Sequence, residues 1–539
     1  MFDDSYPTME ELKTGQRLRK TLVMALVAVT VILVIGTMTA IAFFVPQTEP
    51  STVLIAGLSV IVCIAVPTLV CYYPRAGVYF LFCSALLFPG TSVASIPTMP
   101  TSYVPFWWNL STVGQVYVST NALKALSFSP AEFLMVLTIV TWLIKTIVMR
   151  EFKVTGGVFF GVIGAYTSMV AIGFLNGFTH SHNMTMALYE VRGQAYFFMI
   201  YLMTINIFDD KKQVKTLIWL IVLCTGFQGL CAAITYFSLN GTVTEEGFMS
   251  HDESLYLSLL IFIALLNTLL KIDKRLKWAT LVALLPSIVG ILGNQRRSGI
   301  AAVIVAFLPL LPMMYVISKE HKKKIIAIGV VTAVAWSIYL PIAWNATGAW
   351  ALPARSIRSQ TEPNSRDNAS NAYRLDEEYD VKYTRDTSPF IGVGYGSPFL
   401  QPRPLAAVTT DFVYYMPHNS VLWVWMRLGH VGFLLYFLMV GVILIKGMHH
   451  LKVTRDPTLL LAGTLAIVLL LMVITFGKYD LALVNCRTMI LLSIMVGILS
   501  LLPTLQAKED AVNAPKTKDP LEDEMDSANS SGPNYDLQM

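Results

Sequence analysis

Charged residues are scarce in this sequence of 539 residues, and their scarcity excludes most soluble folds. Asp, Glu, Lys and Arg make up 14% of the chain, whereas 55% of the residues are hydrophobic. A compact soluble core cannot bury so large an apolar fraction, so lipid is the expected solvent for most side chains. The net charge of +5 is small. Because the basic residues cluster between hydrophobic runs, they indicate membrane topology, and no nucleic-acid partner is expected.

The sequence also lacks a cysteine framework and an internal repeat. All six cysteines fall within apolar segments or at their ends, where a free thiol behaves as a small hydrophobic residue. Their spacing predicts neither a disulfide scaffold nor a zinc site. The absence of a fixed repeat counts against transporter folds built from duplicated halves.

Apolar runs close to the length of a membrane span recur along almost the whole chain. They predict an all-α, polytopic integral membrane protein with about 12–14 transmembrane helices and one large periplasmic loop. The candidate spans are residues 21–45, 53–73, 76–89, 130–148, 154–174, 194–208, 214–239, 255–271, 278–293, 299–317, 325–344, 419–446, 458–476 and 482–503.

The spans divide the chain into five expected regions. These are a cytoplasmic N-terminus (1–20), a first transmembrane bundle (21–344), a large periplasmic loop with short helices (345–418), C-terminal transmembrane helices (419–503) and a cytoplasmic tail (504–539). The first apolar run is too long for a signal-peptide core, so we expect an uncleaved first span. The polar tail has too few hydrophobic residues to offset chain entropy and is expected to be disordered.

Basic residues are missing from alternate connections. Residues 46–52 and 240–254 contain no Lys or Arg, whereas the intervening connections are rich in them. By the positive-inside rule the basic connections are cytoplasmic, together with both termini. The basic residues concerned are Arg150, Lys153, Lys211, Lys212, Lys215, Lys271, Lys274, Arg275, Lys277, Lys322, Lys323, Lys324, Lys452 and Arg455.

Four arginines run against this pattern, because they are expected on the outer side. Arg296 and Arg297 lie in a very short turn between two spans. Guanidinium groups present paired donors to phosphate oxygens and stay charged when partly desolvated, so this pair is a candidate diphosphate site. Snorkelling to lipid headgroups is the alternative. Arg192, at the mouth of a span with Glu190 as a candidate partner, and Arg374, in a helical stretch of the large loop, are further candidates.

His418 lies at the outer mouth of the span that follows the large loop. A histidine there can accept a proton from a hydroxyl group. Alone, it would more often be a polar boundary residue, but the arginines and the long loop favour a functional role. The preceding Gly392, Gly394 and Gly396 lack the strand-to-helix context of a nucleotide site, so we interpret them as a structural turn.

The acidic residues on the outer side have structural explanations. A solvated helix face is expected for Asp376, Glu377, Glu378 and Asp380 rather than a metal site. Helix capping explains Asp252 and Glu253, and it is favoured over an acid–base role for the adjacent His251. Asp480 and Arg487 complete the outer polar set and are expected to pair with each other.

Several of these motifs resemble a known family. Arg296-Arg297-Ser298 opens a span, Arg374 precedes the turn at 389–396, and His418-Asn419 is followed by Gly429-His430-Val431-Gly432. This arrangement resembles the O-antigen ligase-related family. Its members include O-antigen ligases, O-antigen and exopolysaccharide polymerases, and protein O-oligosaccharyltransferases.

The resemblance implies a metal-independent, inverting glycosyltransferase of the bacterial inner membrane that needs no cofactor. It would take a glycan from undecaprenyl diphosphate at the periplasmic face and pass it to a hydroxyl of a lipid, glycan or protein, with membrane lipids as further partners. His418 would be the base or orient the acceptor, and Arg296 and Arg297 would hold the diphosphate with help from Arg192 or Arg374. The supporting residues would be Asn419, Gly392, Gly394, Gly396 and Asp480.

Two alternatives stay open at this point. A transporter or flippase of lipid-linked saccharide would share the spans and the arginines, but polar residues gathered on one side favour a fixed active site. Within the enzyme reading, ligase and polymerase are not distinguished, and the glycan and the acceptor are not identified.

Overall fold

The chain is helical throughout the part that the structure describes. A computed structural model of the chain describes residues 65–89, 106–109, 128–149, 153–180, 183–241, 247–405 and 411–513, and no β-strand occurs within these ranges. The predicted all-α class is therefore confirmed.

Fourteen α-helices of the described ranges are numbered here in chain order. They are α1 (Pro74–Leu87), α2 (Pro130–Val148), α3 (Phe160–His180), α4 (Met184–Ile207), α5 (Lys211–Ser238), α6 (Glu253–Leu270), α7 (Lys274–Gly293), α8 (Arg297–Ile317), α9 (Lys322–Ala343), α10 (Leu352–Thr361), α11 (Ser365–Thr387), α12 (Ser420–Val453), α13 (Pro457–Gly477) and α14 (Cys486–Asn513). Short 3₁₀ helices occur at Lys319–His321, Ala349–Ala351 and Asp411–Tyr414.

Ten of the described helices are long and apolar enough to cross a membrane, which confirms a polytopic membrane protein. They are α2, α3, α5 to α9 and α12 to α14. Two expected spans correspond to helices that are not among these ten. The span expected at 76–89 corresponds to α1, which has only 14 residues, and the span expected at 194–208 corresponds to α4, which begins about ten residues earlier. The expected span 21–45 and most of 53–73 lie outside the described residues.

The alternation of helices defines two ends of the bundle. We call the end at which α6, α8, α12 and α14 begin the arginine end, because Arg296 and Arg297 lie there. The opposite end, where α5, α7 and α13 begin, is the lysine end; it carries Lys211, Lys212, Lys215, Lys274 and Lys277. The helices α10 and α11 belong to the segment between α9 and α12, which joins these two spans at the arginine end.

The centre of the bundle is formed by α13 and α14. Each is buried over 83% of its most apolar stretch, whereas the stretch that contains α9 is buried over only 6%. The helix α14 packs against α4 and α13, and α7 packs against α5. The outlying α9 therefore buries very few of its side chains against the rest of the bundle.

Two buried clusters of charge tie the spans together near the arginine end. Arg427 of α12 contacts Glu190 of α4 at 2.7 Å, and both side chains are fully buried. In α14, Arg487 contacts Asp252 at 3.1 Å and Glu253 at 2.7 Å. The expected pairing of Arg487 with Asp480 is wrong, because its partners lie at the start of α6. The side chain of Asp252 makes no capping hydrogen bond, so capping does not explain this residue either.

A break in α12 accommodates the glycine-rich turn. Gly429 has φ 63° and ψ −166°, a backbone conformation that interrupts the helix. The break frees the carbonyl groups of Met426 and Arg427, which accept hydrogen bonds from the backbone N–H groups of Val393 and Gly394 at 3.0 and 3.1 Å. The turn thus satisfies backbone groups that the interrupted helix cannot pair by itself.

Candidate active site

A cavity of about 780 Å³ lies at the arginine end. Its walls come from the turn between α7 and α8, from α10 and α11, from the residues before α12, and from the connection between α13 and α14. Elements far apart in the chain therefore build one site, and most of its polar side chains come from outside the spans.

Four arginines line this cavity. The sequence predicted three of them, Arg296, Arg297 and Arg374, and the fold brings them together with Arg355 of α10. A carboxylate oxygen of Asp367 lies 3.3 Å from the guanidinium of Arg297, and Arg355 donates a hydrogen bond to Gln295. Guanidinium groups present several hydrogen-bond donors to oxyanions, so a cavity that gathers four of them is suited to an anion with several oxygens.

His418 lines the same cavity and is held by Glu377 of α11. The ring Nδ1 lies 3.0 Å from Oε1 of Glu377, and the backbone N–H of His418 donates to Oε2 at 2.9 Å. The side chain of Glu377 is only 2% exposed, so its carboxylate is shielded from solvent where it binds the histidine. With Nδ1 engaged, Nε2 is the ring nitrogen left for a ligand hydroxyl.

The environment of His418 favours its protonated form. The hydrogen bond with Glu377 raises the pKa of His418 above its usual value, and the negative charges of Glu377 and Asp480 add to the rise. Burial of the ring and the nearby Arg374 act in the opposite direction. The ring is therefore a stronger base than a free histidine, in the manner of other carboxylate–imidazole pairs.

Asn419 fixes the start of α12 beside His418. Its Oδ1 accepts hydrogen bonds from the N–H groups of Val421 and Leu422 at 3.2 and 3.1 Å, which makes it the N-cap of the helix. Its Nδ2 donates to Glu378 of α11 at 3.0 Å. Two adjacent residues of α11, Glu377 and Glu378, thus bind the two adjacent residues His418 and Asn419. The histidine therefore has little freedom to move.

A second imidazole enters the cavity from the loop before α6. Nδ1 of His251 lies 2.6 Å from Oδ2 of Asp480, and both residues line the cavity together with Lys478. Burial opposes ionisation of Asp480, but the hydrogen bond and charge of His251 outweigh it and lower the pKa of the carboxyl group.

Comparison with known proteins identifies the segment that contains most of these residues. Residues 281–437 match the family model Wzy_C, described as O-Antigen ligase. The chain carries an O-antigen ligase-related domain. No curated protein matches the chain at a significant level. The matched segment includes the four arginines of the cavity, Glu377 and His418, so the resemblance drawn from the sequence is confirmed by an independent comparison.

Arg192 does not reach the cavity of the O-antigen ligase-related domain. Its Nε lies 3.2 Å from Glu132, and a terminal nitrogen donates to Asn109 at 2.8 Å. The partner proposed from the sequence, Glu190, binds Arg427 instead. Glu132 and Asn109 are distant in the sequence, which explains why inspection of neighbouring residues gave the wrong partner.

The glycines of the turn are also outside the cavity. A Cβ on Gly392 would lie 2.4 Å from the backbone of Arg427, and one on Gly394 would lie 2.3 Å from that of Gly177. The N–H of Gly396 donates to Glu190 at 2.6 Å. Their close backbone contacts agree with the structural turn expected from the sequence.

Arg427 connects this turn to the histidine. Its guanidinium donates to the carbonyl groups of Gly394 and Ser397 at 3.0 and 2.6 Å, and to that of Tyr415 at 2.7 Å. Tyr415 lies three residues before His418. The buried ion pair of Arg427 and Glu190 therefore positions the chain that leads into the site.

The acidic run of α11 is not the solvated face that the sequence predicted. Glu377 and Asp380 are almost completely buried, as are Val381 and Thr384. These four residues recur at helical spacing and share one face of α11, a pattern that was present in the sequence. Asp376 is about half-exposed and binds Arg403 at 2.9 Å.

The described residues contain no group of three or more His, Cys, Asp or Glu side chains that could hold a metal ion.

Arg355 is the cavity arginine that the sequence did not predict. The loop contains several arginines, and only the packing of α10 selects Arg355 for the cavity.

Proposed function

We propose that this chain is a membrane glycosyltransferase that transfers a glycan from undecaprenyl diphosphate to an acceptor hydroxyl group. The observation that carries the proposal is the single cavity that combines four arginines with the His418–Glu377 pair. The match to the O-antigen ligase model supports the same class of reaction. Either a ligase or a surface-polysaccharide polymerase fits this site.

A lipid-linked substrate is favoured by the wall that α8 contributes. Below Arg297 and Ser298, the cavity is lined by Ala301, Ile304 and Val305, which follow one face of this span. The polar part of the cavity therefore continues into an apolar surface within the membrane. An amphiphile whose diphosphate meets the arginines can extend its polyprenyl chain along this surface.

The reaction needs a base and a site for the leaving group, because a sugar diphosphate is already activated. His418 accepts the proton of the acceptor hydroxyl at Nε2, and the hydroxyl oxygen forms the new bond to the anomeric carbon. The bond from that carbon to the diphosphate oxygen breaks, and its electron pair stays with the diphosphate. Arg296, Arg297, Arg355 and Arg374 stabilise the growing charge. Attack opposite the leaving group inverts the anomeric centre, and no metal ion takes part.

The charge distribution supports a periplasmic site. Basic residues concentrate at the lysine end, which the positive-inside rule assigns to the cytoplasm. The cavity, at the arginine end, then opens on the periplasmic side of a bacterial inner membrane. Undecaprenyl-diphosphate-linked glycans and acceptors at that surface are the proposed partners.

The proposal is tested by separating binding from transfer in the full-length protein. We expect His418→Gln to lower glycan transfer by about 10²-fold or more, because the base is lost, while undecaprenyl diphosphate still binds. We expect Arg297→Ala and Arg355→Ala each to weaken that binding about tenfold through loss of charge-assisted hydrogen bonds. Transfer rates and equilibrium binding in lipid nanodiscs measure the two effects.

Matched variants serve as controls. His449→Gln changes an exposed histidine at the lysine end, and Arg403→Ala removes an arginine that lies in the same loop but outside the cavity. Both should behave as wild type. Full transfer by His418→Gln would remove this residue from the chemistry. A lipid-linked saccharide moved across the bilayer without transfer would indicate a flippase, and loss of transfer in EDTA would contradict the metal-independent mechanism.

A further inference from the structure

The loop before α6 holds a histidine whose position the mechanism above does not use. His251 lines the cavity, and its side chain is 44% exposed. Its Nδ1 is bonded to Asp480, whose own side chain is 16% exposed. This arrangement repeats the pairing of His418 with Glu377: a carboxylate fixes one ring nitrogen and leaves Nε2 for a ligand.

The loop of His251 is tied to the arginine turn through Asn294, which is completely buried. The Nδ2 group of Asn294 donates to the carbonyl of Ser250 at 3.3 Å and to the hydroxyl of Ser254 at 3.0 Å. Its Oδ1 accepts from the N–H of Met249 at 3.1 Å. Since Asn294 comes directly before Gln295-Arg296-Arg297, His251 is held next to the residues proposed to bind the diphosphate.

Asp480 is tied to the other side of the site. Its carbonyl oxygen accepts a hydrogen bond from the hydroxyl of Ser420 at 2.7 Å, and Ser420 lies two residues after His418. The negative charge of Asp480 also acts on His418. The His251–Asp480 pair therefore lies between the arginine turn and the proposed base.

We propose that His251, supported by Asp480, contacts the departing diphosphate and donates the Nε2 proton to the oxygen that leaves the anomeric carbon. This assignment rests on the proposed function, to which it adds the acid that complements the base. As the carbon–oxygen bond breaks, its electron pair and the proton of His251 go to the diphosphate. The acceptor proton goes to His418, which then releases it to solvent, and His251 takes one proton back from solvent. The cycle consumes no further reactant.

His251 shares the cavity with Asp480, which binds its Nδ1, and with the arginines proposed to bind the diphosphate. The charged and titratable residues that line the cavity with His251 come from the facing elements and are Arg296, Arg297, Arg355, Asp367, Arg374, Glu377, Glu378, His418, Lys478 and Asp480.

The test is the pH dependence of undecaprenyl diphosphate binding by the full-length protein in nanodiscs, between about pH 5 and 8. The ligand titrates in this range, so each variant is compared with wild type at every pH. We expect His251→Gln to bind about tenfold more weakly than wild type at the acidic end, because glutamine cannot carry the positive charge of an imidazolium, and to differ less from wild type at the basic end. Asp480→Asn should weaken binding as well, because the ring of His251 loses the carboxylate that holds its Nδ1, and His449→Gln should match wild type.

The outcomes separate this inference from the function on which it rests. Wild-type protein that does not bind the diphosphate, or an Arg297→Ala variant that binds as tightly as wild type, contradicts the proposed function. Binding that depends on Arg297 but follows the same pH curve in wild type and His251→Gln overturns the role of His251 alone. Thermal unfolding of both His251→Gln and Asp480→Asn shows that the compared proteins are folded.

Discussion

Glu377 acts on His418 by orienting the ring and by raising its pKa. Because the folded-state pKa is raised, the pair stabilises the fold fully at pH values below about 6.5, the usual value for histidine. This stabilisation is lost as the pH rises through the raised pKa. The neutral ring that can accept a proton appears over the same interval. Transfer should therefore rise with pH as the ion pair of His418 and Glu377 weakens.

A Glu377→Gln substitution separates the two effects of this residue. It removes the negative charge, so the pKa of His418 should fall and the acidic limb of the pH–rate profile should move to lower pH. The maximal rate should also fall, by about 10²-fold, because a neutral amide stabilises and orients the ring of His418 less well once this ring has accepted the acceptor proton. Initial transfer rates across the pH range measure both. Asp376→Asn, one position earlier on an exposed face, is the control; an unmoved acidic limb in Glu377→Gln would contradict the assignment.

At the residue scale, the sequence predicted the residues that break a local pattern. Arg296 and Arg297 lie between two apolar runs, and His418 lies at the boundary of a span. Each could therefore be singled out from the sequence alone. Glu377 is one of several acids in a polar helix, and its burial depends on how α11 packs against the start of α12. Asp480 was expected near the site, but its partner His251 lies 229 positions away.

At the element scale, the break in α12 depends on Gly429. Its backbone angles fall in a region that is essentially restricted to glycine. A Cβ would lie 2.3 Å from the backbone of Phe390, which belongs to the adjoining turn. The N–H groups of His430 and Val431 donate to Pro389 and Phe390 at 2.7 and 3.2 Å. The broken helix and the turn therefore form one unit that leads toward the site.

We expect Gly429→Ala to destabilise the protein by about 1–3 kcal/mol from backbone strain, with a further cost from the contact with Phe390. Transfer should fall as well, because the turn and Arg427 hold the chain before His418. The matched control is Gly441→Ala in the same helix, where a Cβ meets nothing within 4 Å. That variant should be as stable as wild type or slightly more so, since alanine favours helix. Unfolding midpoints in detergent would reveal the difference; equal midpoints would contradict the proposed constraint.

The spans could be predicted because lipid requires long apolar helices, but their polar ends could not. The helix α4 begins about ten residues before its expected span; Glu190 lies in the additional part and Gln194 at the start of the expected span. These side chains are tolerated there because Glu190 meets Arg427 and Gln194 bonds with Tyr166 and Tyr395. Such partners lie on other helices or in the glycine-rich turn, so hydrophobicity along one segment does not predict them.

At the scale of the whole molecule, charge is arranged differently at the two ends. At the arginine end, Arg427 and Arg487 are buried in ion pairs with carboxylates. The cavity arginines of this end lie in the turn before α8, at the start of α8 and on the loop helices α10 and α11. At the lysine end, most basic residues lie in the first turns of helices, where solvent and anionic headgroups can reach them. The two ends therefore differ in how their positive charge is used, and the arginine end concentrates it in a cavity.

This asymmetry predicts which end faces outward. In a background without the native cysteines that still transfers glycan, Thr347→Cys places a thiol on the exposed connection between α9 and α10, and Lys274→Cys places one at the start of α7. A membrane-impermeant thiol reagent should label residue 347 in intact spheroplasts, and residue 274 only after permeabilisation. Labelling in the reverse order would put the cavity in the cytoplasm. A periplasmic lipid-linked donor would then have no access to the arginines, even if they bound diphosphate in purified protein.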